Sequence, residues 1–206
     1  MSRIVAGELG GRRLRMPPGD RTRPTTDRVR EALFSRIESL LGGLDGAVVL
    51  DLYAGSGAVG LEALSRGAAR AVLVECDRRA VAAARANVAA LGVDDRARVV
   101  ADRVERMLAR LVDAAGGPAD LVFADPPYAM ASADLHAALE AGAAGGWYAD
   151  DALLVVERPS RGGTWVFPAG VRPEGERRYG ETTLWYGRRD LAGPPDPPRP
   201  ADPAGP

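Results

Sequence analysis

Apolar residues in this chain fall into short runs separated by longer stretches with helical spacing. Runs at 47–51, 71–75, 97–101, 119–124 and 152–157 are rich in Val, Leu and Ala. Runs this short, with little polar alternation, suit strands buried on both faces. Between them, 58–66, 78–91, 103–114 and 132–144 read as helices. This regular alternation predicts a parallel, doubly wound α/β sheet whose ligand site lies at the carboxyl ends of the strands.

The two ends of the chain differ from that body. Residues 3–7 and 12–16 read as a two-stranded hairpin that turns at Gly10-Gly11, followed by a loop over 17–23. Thr25-Thr26-Asp27 supplies helix caps. Val29, Leu33, Ile37 and Leu40-Leu41 recur at helical spacing until Gly42-Gly43 stops the helix. Downstream, 164–167 and 182–186 read as strands of a closing antiparallel hairpin, with the turn-rich 168–180 between them. From position 192 the chain is dominated by proline, alanine and glycine, cannot bury a core and is expected to be disordered. The expected organisation is an N-terminal arm over 1–24, one α/β domain over 25–190 and a tail over 191–206.

Composition narrows the chemistry. A chain of 206 residues can bury one substantial core and is short for two. No apolar run approaches a membrane span, and the N-terminus lacks a signal-peptide core, so a cytoplasmic protein is expected. A lone cysteine, Cys76, excludes an internal disulfide framework and a multi-cysteine metal site; it is expected to be a small buried residue at a strand end. His136 is the only histidine and falls in a predicted alanine-rich helix, where a surface or packing role is expected. No metal is expected.

Net charge is only −1, but it is unevenly distributed. Residues 1–36 hold nine arginines against Glu8, Asp20, Asp27 and Glu31, a local charge of +5, which leaves −6 on the remainder. A basic arm on an acidic body points to an electrostatic footprint on one face. Arg3, Arg12, Arg13, Arg15, Arg21 and Arg23 are the candidates for phosphate contacts. The chain has no lysine at all, a bias that carries no functional weight by itself.

Acids recur at strand ends. Asp51 opens Asp-Leu-Tyr-Ala-Gly-Ser-Gly, and Gly55, Gly57 and Gly60 spell the G-x-G-x-x-G of a dinucleotide loop. A pyrophosphate needs N–H donors and a positive helix end, and a carboxylate at the mouth of that loop would repel it. A ligand with an ammonium and a sulfonium, such as S-adenosylmethionine, would tolerate or prefer it. Asp51 can act directly or through the hydrogen bonding of the loop formed by Tyr53, Gly55, Ser56 and Gly57. Glu75, twenty residues past Gly55, suits the two hydroxyls of a ribose. Asp77 reads as a solvated turn residue. Asp102 fits either an adenine amino group or a helix N-cap.

Asp125-Pro126-Pro127-Tyr128 follows the run 119–124. Two prolines end the strand and stiffen the backbone, leaving carbonyls without competing N–H donors. An acceptor-only carboxylate, fixed carbonyls and an aromatic face suit a flat ring bearing an amino group, although the four residues alone also fit an ordinary turn. Asp125, Pro126, Pro127 and Tyr128 are the catalytic candidates, with Asp125 also adjoining the cofactor site.

Together with the upstream Arg23-Pro-Thr-Thr-Asp-Arg-Val-Arg-Glu31, these motifs resemble the RsmD-type 16S ribosomal RNA guanine-N2 methyltransferases over about residues 3–190. The glycine loop and Asp-Pro-Pro-Tyr occur in many amino-methyltransferases, so the narrower identification rests on the arginine-rich segment. The resemblance implies a Rossmann-like, seven-stranded, mostly parallel methyltransferase sheet with an N-terminal β-hairpin extension. It further implies S-adenosyl-L-methionine as methyl donor and a guanine of 16S rRNA, conventionally position 966, as acceptor. The partner would be the small ribosomal subunit or an assembly intermediate, and the enzyme a monomer. Three alternatives stand beside it. A DNA adenine-N6 enzyme would share both motifs but usually needs a separate recognition region. A small-molecule N-methyltransferase would have no use for the arm. A non-enzymatic RNA-binding assembly protein would not need Asp51, Glu75 and Asp125.

Overall fold

The computed structural model describes residues 2–17, 27–112 and 117–190. Two short strands, β1 (Ser2–Arg3) and β2 (Arg13–Leu14), pair antiparallel. Helix α1 (Asp27–Leu41) leads into β3 (Val48–Leu52), α2 (Ala58–Ser65), β4 (Arg70–Glu75), α3 (Arg78–Leu91) and β5 (Ala97–Ala101). Then come α4 (Val104–Leu108), β6 (Ala119–Ala124), α5 (Ser132–Ala144), β7 (Tyr148–Pro159), β8 (Val171–Tyr179) and β9 (Thr182–Arg189). The seven-stranded sheet runs β5-β4-β3-β6-β7-β9-β8, and its first five strands are parallel. Only β9 runs against the others. The order reverses between β3 and β6, which is where an open α/β sheet parts to form a ligand crevice. Among the described residues, no helix is long and apolar enough to cross a membrane.

The strands are apolar on both faces because helices cover both. Val49, Leu73, Phe123 and Val155 belong to one core with Leu33, Phe34 and Ile37 of α1, Leu61 and Leu64 of α2 and Val88 of α3. Their strand neighbours Leu50, Val72, Val122 and Leu154 turn the other way, into a core with Met107 and Leu108 of α4 and Leu135 and Leu139 of α5. This is the period-2 alternation of a strand expressed on two buried faces.

The N-terminal hairpin is docked, not free. Glu62 of α2, fully buried, accepts from the backbone N–H of Val5 (2.6 Å) and Ala6 (3.0 Å) and from Arg66 Nε (2.9 Å). Those three bonds offset the cost of burying its charge. Ser65 Oγ donates to the Ala6 carbonyl (2.5 Å) and accepts from Leu9 N–H (2.9 Å). Gly7, at φ +80°, passes so near α2 that a Cβ there would lie 1.8 Å from the Ser65 carbonyl oxygen. On α3, Asn87 accepts from Arg15 N–H (2.7 Å) and donates to the Arg15 carbonyl (3.0 Å) and the Ser56 carbonyl (2.9 Å). One carboxamide therefore holds both the hairpin and the glycine loop.

Several boundaries differ from the sequence expectation. The hairpin strands are two residues each, with Gly11 at φ +81° in the turn. The helix expected over 103–114 stops at Leu108, and β7 extends well upstream of position 152. Residues 164–167 form no strand. Trp165 and Phe167 are buried and meet edge to face at 6.1 Å, while Val166 between them is exposed. That alternation imitates a strand in an irregular segment. The missing strand lies in the stretch read as turns: β8 is the sheet edge, mostly exposed and carrying Pro173, with a register shift before Gly175. An edge strand tolerates proline and bulges and needs no apolar alternation. The capping residues Thr25 and Thr26 and the proline-rich tail lie outside the described residues.

Candidate active site

The glycine loop leaves β3 at the switch point. Asp51 is 1 % exposed, and its Oδ2 accepts from Gly60 N–H at 2.9 Å, fixing the first turn of α2. This is the indirect route, through the loop's own hydrogen bonding. A Cβ at position 60 would come within 2.2 Å of Leu73 Cδ2 and 3.3 Å of Asp51 Oδ2, so the buried Leu73 would have to give way to any larger residue. Burial pushes the Asp51 carboxyl up to about 7, opposed by the Gly60 bond and supported by the Glu75 charge. At neutral pH it therefore carries only part of a charge, and a nearby cation would draw it towards the carboxylate.

Tyr53 sits in the same loop at φ +60°, a conformation rare for a residue with a Cβ. Its hydroxyl donates to Glu105 Oε1 of α4 at 3.1 Å. Ser56 is buried, and Gly57, at φ +80°, precedes α2.

Glu75 closes the loop from β4. Its Oε2 accepts from Gly55 N–H (2.9 Å) and its Oε1 from Cys76 N–H (2.7 Å) and Asp77 N–H (2.8 Å). Two carboxylate oxygens offer about four acceptor sites, so acceptor capacity remains for a hydroxyl beyond these three bonds. Asp77 is more than a solvated turn residue: it is the N-cap of α3 and accepts from Arg79 and Ala80 N–H at 2.9 Å each. Cys76 corrects an expectation too, since it is exposed. It lies one residue past β4, on the rim where the strand has left the core.

Asp102 accepts from Arg103 N–H (2.8 Å) and pairs with Arg106 (2.6 Å) and Arg110 (3.2 Å). Helix α4 begins two residues later, at Val104, with Arg103 at its N-cap and no side-chain cap. The N-cap alternative for Asp102 is thus set aside. The Arg106 hydrogen bond, first, holds its carboxyl below the usual range. His136 is half-buried, its ring centre 6.4 Å from that of Trp165, within the surface or packing role expected of it.

Asp125 stands across the switch point, one residue past β6, whose Ala124 is in register with Leu52 of β3. Pro126 is buried, whereas Tyr128 is 65 % exposed. Burial, then the charges of Glu157 and Asp51, push the Asp125 carboxyl well above the usual range, opposed by Arg158. Glu157 is buried on β7, one step past the Ala124–Val156 pairing, and burial raises it as well, opposed by a hydrogen bond from Thr182. Arg158 donates to the Met130 carbonyl (2.8 Å) and ties down the segment after Tyr128. Glu157 and Arg158 were missed as site residues. The available signal was position: Glu157 ends the apolar run of β7 as Glu75 ends that of β4.

The arm arginines are dispersed. Arg3 pairs with Asp27 at 2.8 Å, and Arg12 donates to the Ala90 carbonyl at 2.5 Å. Arg13 and Arg15 have exposed side chains. Arg21 and Arg23 lie outside the described residues.

A sheet in this order, with a glycine loop and acids gathered at its switch point, defines the Rossmann-like fold of the S-adenosylmethionine-dependent methyltransferases. The chain belongs to the family described as conserved hypothetical protein 95, whose model matches residues 2–188, and the RsmD-type resemblance is borne out. It is 38% identical over 194 residues to ribosomal RNA small subunit methyltransferase D of Escherichia coli strain K12, covering 94% of this chain and 93% of that protein. It is also 38% identical over 126 residues to the putative rRNA methyltransferase YlbH of Bacillus subtilis strain 168, covering 61% of this chain and 66% of that one. Among solved structures, it is similar to the putative methyltransferase yhhF from Escherichia coli, with a TM-score of 0.79 at 36% identity over 92% of this chain and 98% of that one.

Proposed function

We propose that this protein transfers a methyl group from S-adenosylmethionine to the exocyclic N2 of a guanine in small-subunit ribosomal RNA, conventionally position 966. The observation that carries the reading is the placing of Asp125, with exposed Tyr128 behind stiff prolines, across the switch point from the Asp51–Glu75 loop. The donor supplies an electrophilic methyl on sulfur. Glu75 has acceptor capacity for its ribose, and the partly charged Asp51 sets the loop that would cradle its cationic end.

Guanine N2 is a poor nucleophile because its lone pair is delocalised into the ring. If the Asp125 carboxylate and the Pro126 carbonyl accept its two hydrogens, the nitrogen can pyramidalise and aim that pair at the methyl carbon. The C–N bond forms as the C–S bond breaks, sulfur keeps the bonding pair, and the nitrogen then sheds a proton. Alignment is the main contribution. Tyr128 would stack on a base drawn out of its RNA context. Incubating labelled donor with ribosomal RNA, naked and in small-subunit particles, should yield N2-methylguanosine on nucleoside mass analysis. Label in any other nucleoside, or in none, would refute the reading.

The ionised Asp125 accepts N–H groups more strongly than its protonated form, which keeps one carbonyl acceptor but turns its other oxygen into a donor. Activity should therefore rise with pH through its elevated pKa. Glu157→Gln removes the larger of the two repelling charges and should shift the acidic limb of the pH–rate profile to lower pH. An unmoved limb would show that Glu157 does not set the charge of Asp125.

The arm gives a further expectation. Replacing Arg12, Arg13 and Arg15 together with alanine should weaken RNA binding and flatten its salt dependence. Arg12 is committed to Ala90, so two contacts are the expected loss, or about 1.4–1.8 units of the slope of log affinity against log salt. A wild-type slope would place the RNA elsewhere.

A further inference from the structure

Two open hollows lie side by side on α3, and Asp125 lines neither. One, about 310 Å³, is lined by Arg15, Met16, Arg79, Ala82, Ala83 and Ala86. The other, about 300 Å³, is lined by Cys76, Arg78, Val81, Ala82, Arg85 and Ala101. They share Ala82 and so adjoin along the helix, a trough in two parts. Its shape follows from the helix repeat: at 3.6 residues per turn, Arg78 and Arg85 fall on one flank, Ala82 and Ala86 along the middle, and Arg79 with Ala83 on the other. The hairpin, pinned by Asn87, sets Arg15 beside Arg79.

The charge is one-sided. No acid among the described residues lines either hollow. Among the described residues, none of Arg15, Arg78, Arg79 and Arg85 has a carboxylate partner within ion-pair distance. By contrast Arg66, Arg96, Arg106 and Arg188 are engaged by Glu31, Glu8, Asp102 and Asp151. Four uncommitted guanidiniums around a floor of small residues, on a chain of net charge −1, complement a polyanion that needs close backbone approach.

We propose that a single-stranded segment of the substrate RNA, flanking the target guanine, runs along this trough with its phosphates on Arg15, Arg78, Arg79 and Arg85. This rests on the rRNA reading above. The contacts are to phosphates, so they set register and contribute affinity without reading sequence. The trough ends at Cys76 and Ala101 on the carboxyl rim of the sheet, which leads the strand towards the active-site face.

The test is the salt dependence of RNA binding by the triple variant Arg78→Ala, Arg79→Ala, Arg85→Ala, beside the wild type and the corresponding triple lysine variant. Each lost phosphate contact on a single strand lowers the slope by about 0.7, so the alanine variant should lose about two units and bind more weakly. The lysine variant should keep most of the slope, since charge and not shape is required. S-adenosylmethionine affinity by calorimetry should be unchanged in both. A wild-type slope in an alanine variant that melts normally would overturn the trough alone. Lost S-adenosylmethionine affinity would overturn it in favour of the methyl donor as occupant. If the wild type itself shows no salt-dependent rRNA binding, the rRNA reading fails first.

Discussion

Asp125→Ala should slow methyl transfer by on the order of 10²–10³-fold, the usual cost of losing one hydrogen-bond partner in the reacting geometry, while S-adenosylmethionine affinity stays near wild type. The carboxyl is assigned to the base amino group, and the proposed donor contacts lie on β3, the loop after it and the end of β4. Asp125→Asn should be intermediate, because a carboxamide oxygen still accepts but carries no charge. Stability should not suffer in either variant. A carboxyl pushed above its ordinary range by burial, Glu157 and Asp51 weakens the fold as it ionises, so that contribution is lost as pH rises through its folded pKa. Removing it should leave the melting temperature unchanged or higher near neutral pH, the common trade between a strained site and stability. Single-turnover rates and a melting curve test both halves, and near-wild-type turnover would sink the assignment.

Glu75→Ala should give the opposite signature, weakening S-adenosylmethionine and S-adenosylhomocysteine alike. It loses the ribose acceptor and also releases the Gly55, Cys76 and Asp77 N–H groups. A hydrogen bond to a charged group is worth about 1.5–3 kcal/mol, so affinity should fall about tenfold or more by calorimetry. Equal affinities in variant and wild type would place the nucleoside site elsewhere. Together the two variants separate rate from binding: one acts on the chemical step, the other on occupancy.

The parallel half of the sheet was legible because buried strands and amphipathic helices write their period directly. The strand runs at 71–75, 97–101 and 119–124 match β4, β5 and β6 within a residue. The antiparallel edge was not, since β8 faces water, holds no apolar alternation and tolerates Pro173. Trp165 and Phe167 misled by the converse effect, burying alternate side chains without a ladder. In the site, Asp51, Glu75 and Asp125 could be read because each ends an apolar run. The roles of Glu62 and Asn87 could not, because each bonds to backbone more than thirty residues away. Nothing in local spacing reports such a contact.

Asn87 carries a thermodynamic consequence. Its carboxamide spans the Arg15 backbone and the Ser56 carbonyl, so a ligand on the hairpin and a ligand in the glycine loop act on the same side chain. Any free energy that one of them spends or gains in setting Asn87 appears in the affinity of the other, and linkage makes the factor equal in both directions. Under the proposed reaction, substrate and methyl donor are expected to act as mutual effectors through this side chain. The factor by which one raises the other's affinity is a single number, readable from either titration, and Asn87→Ala should drive it towards one.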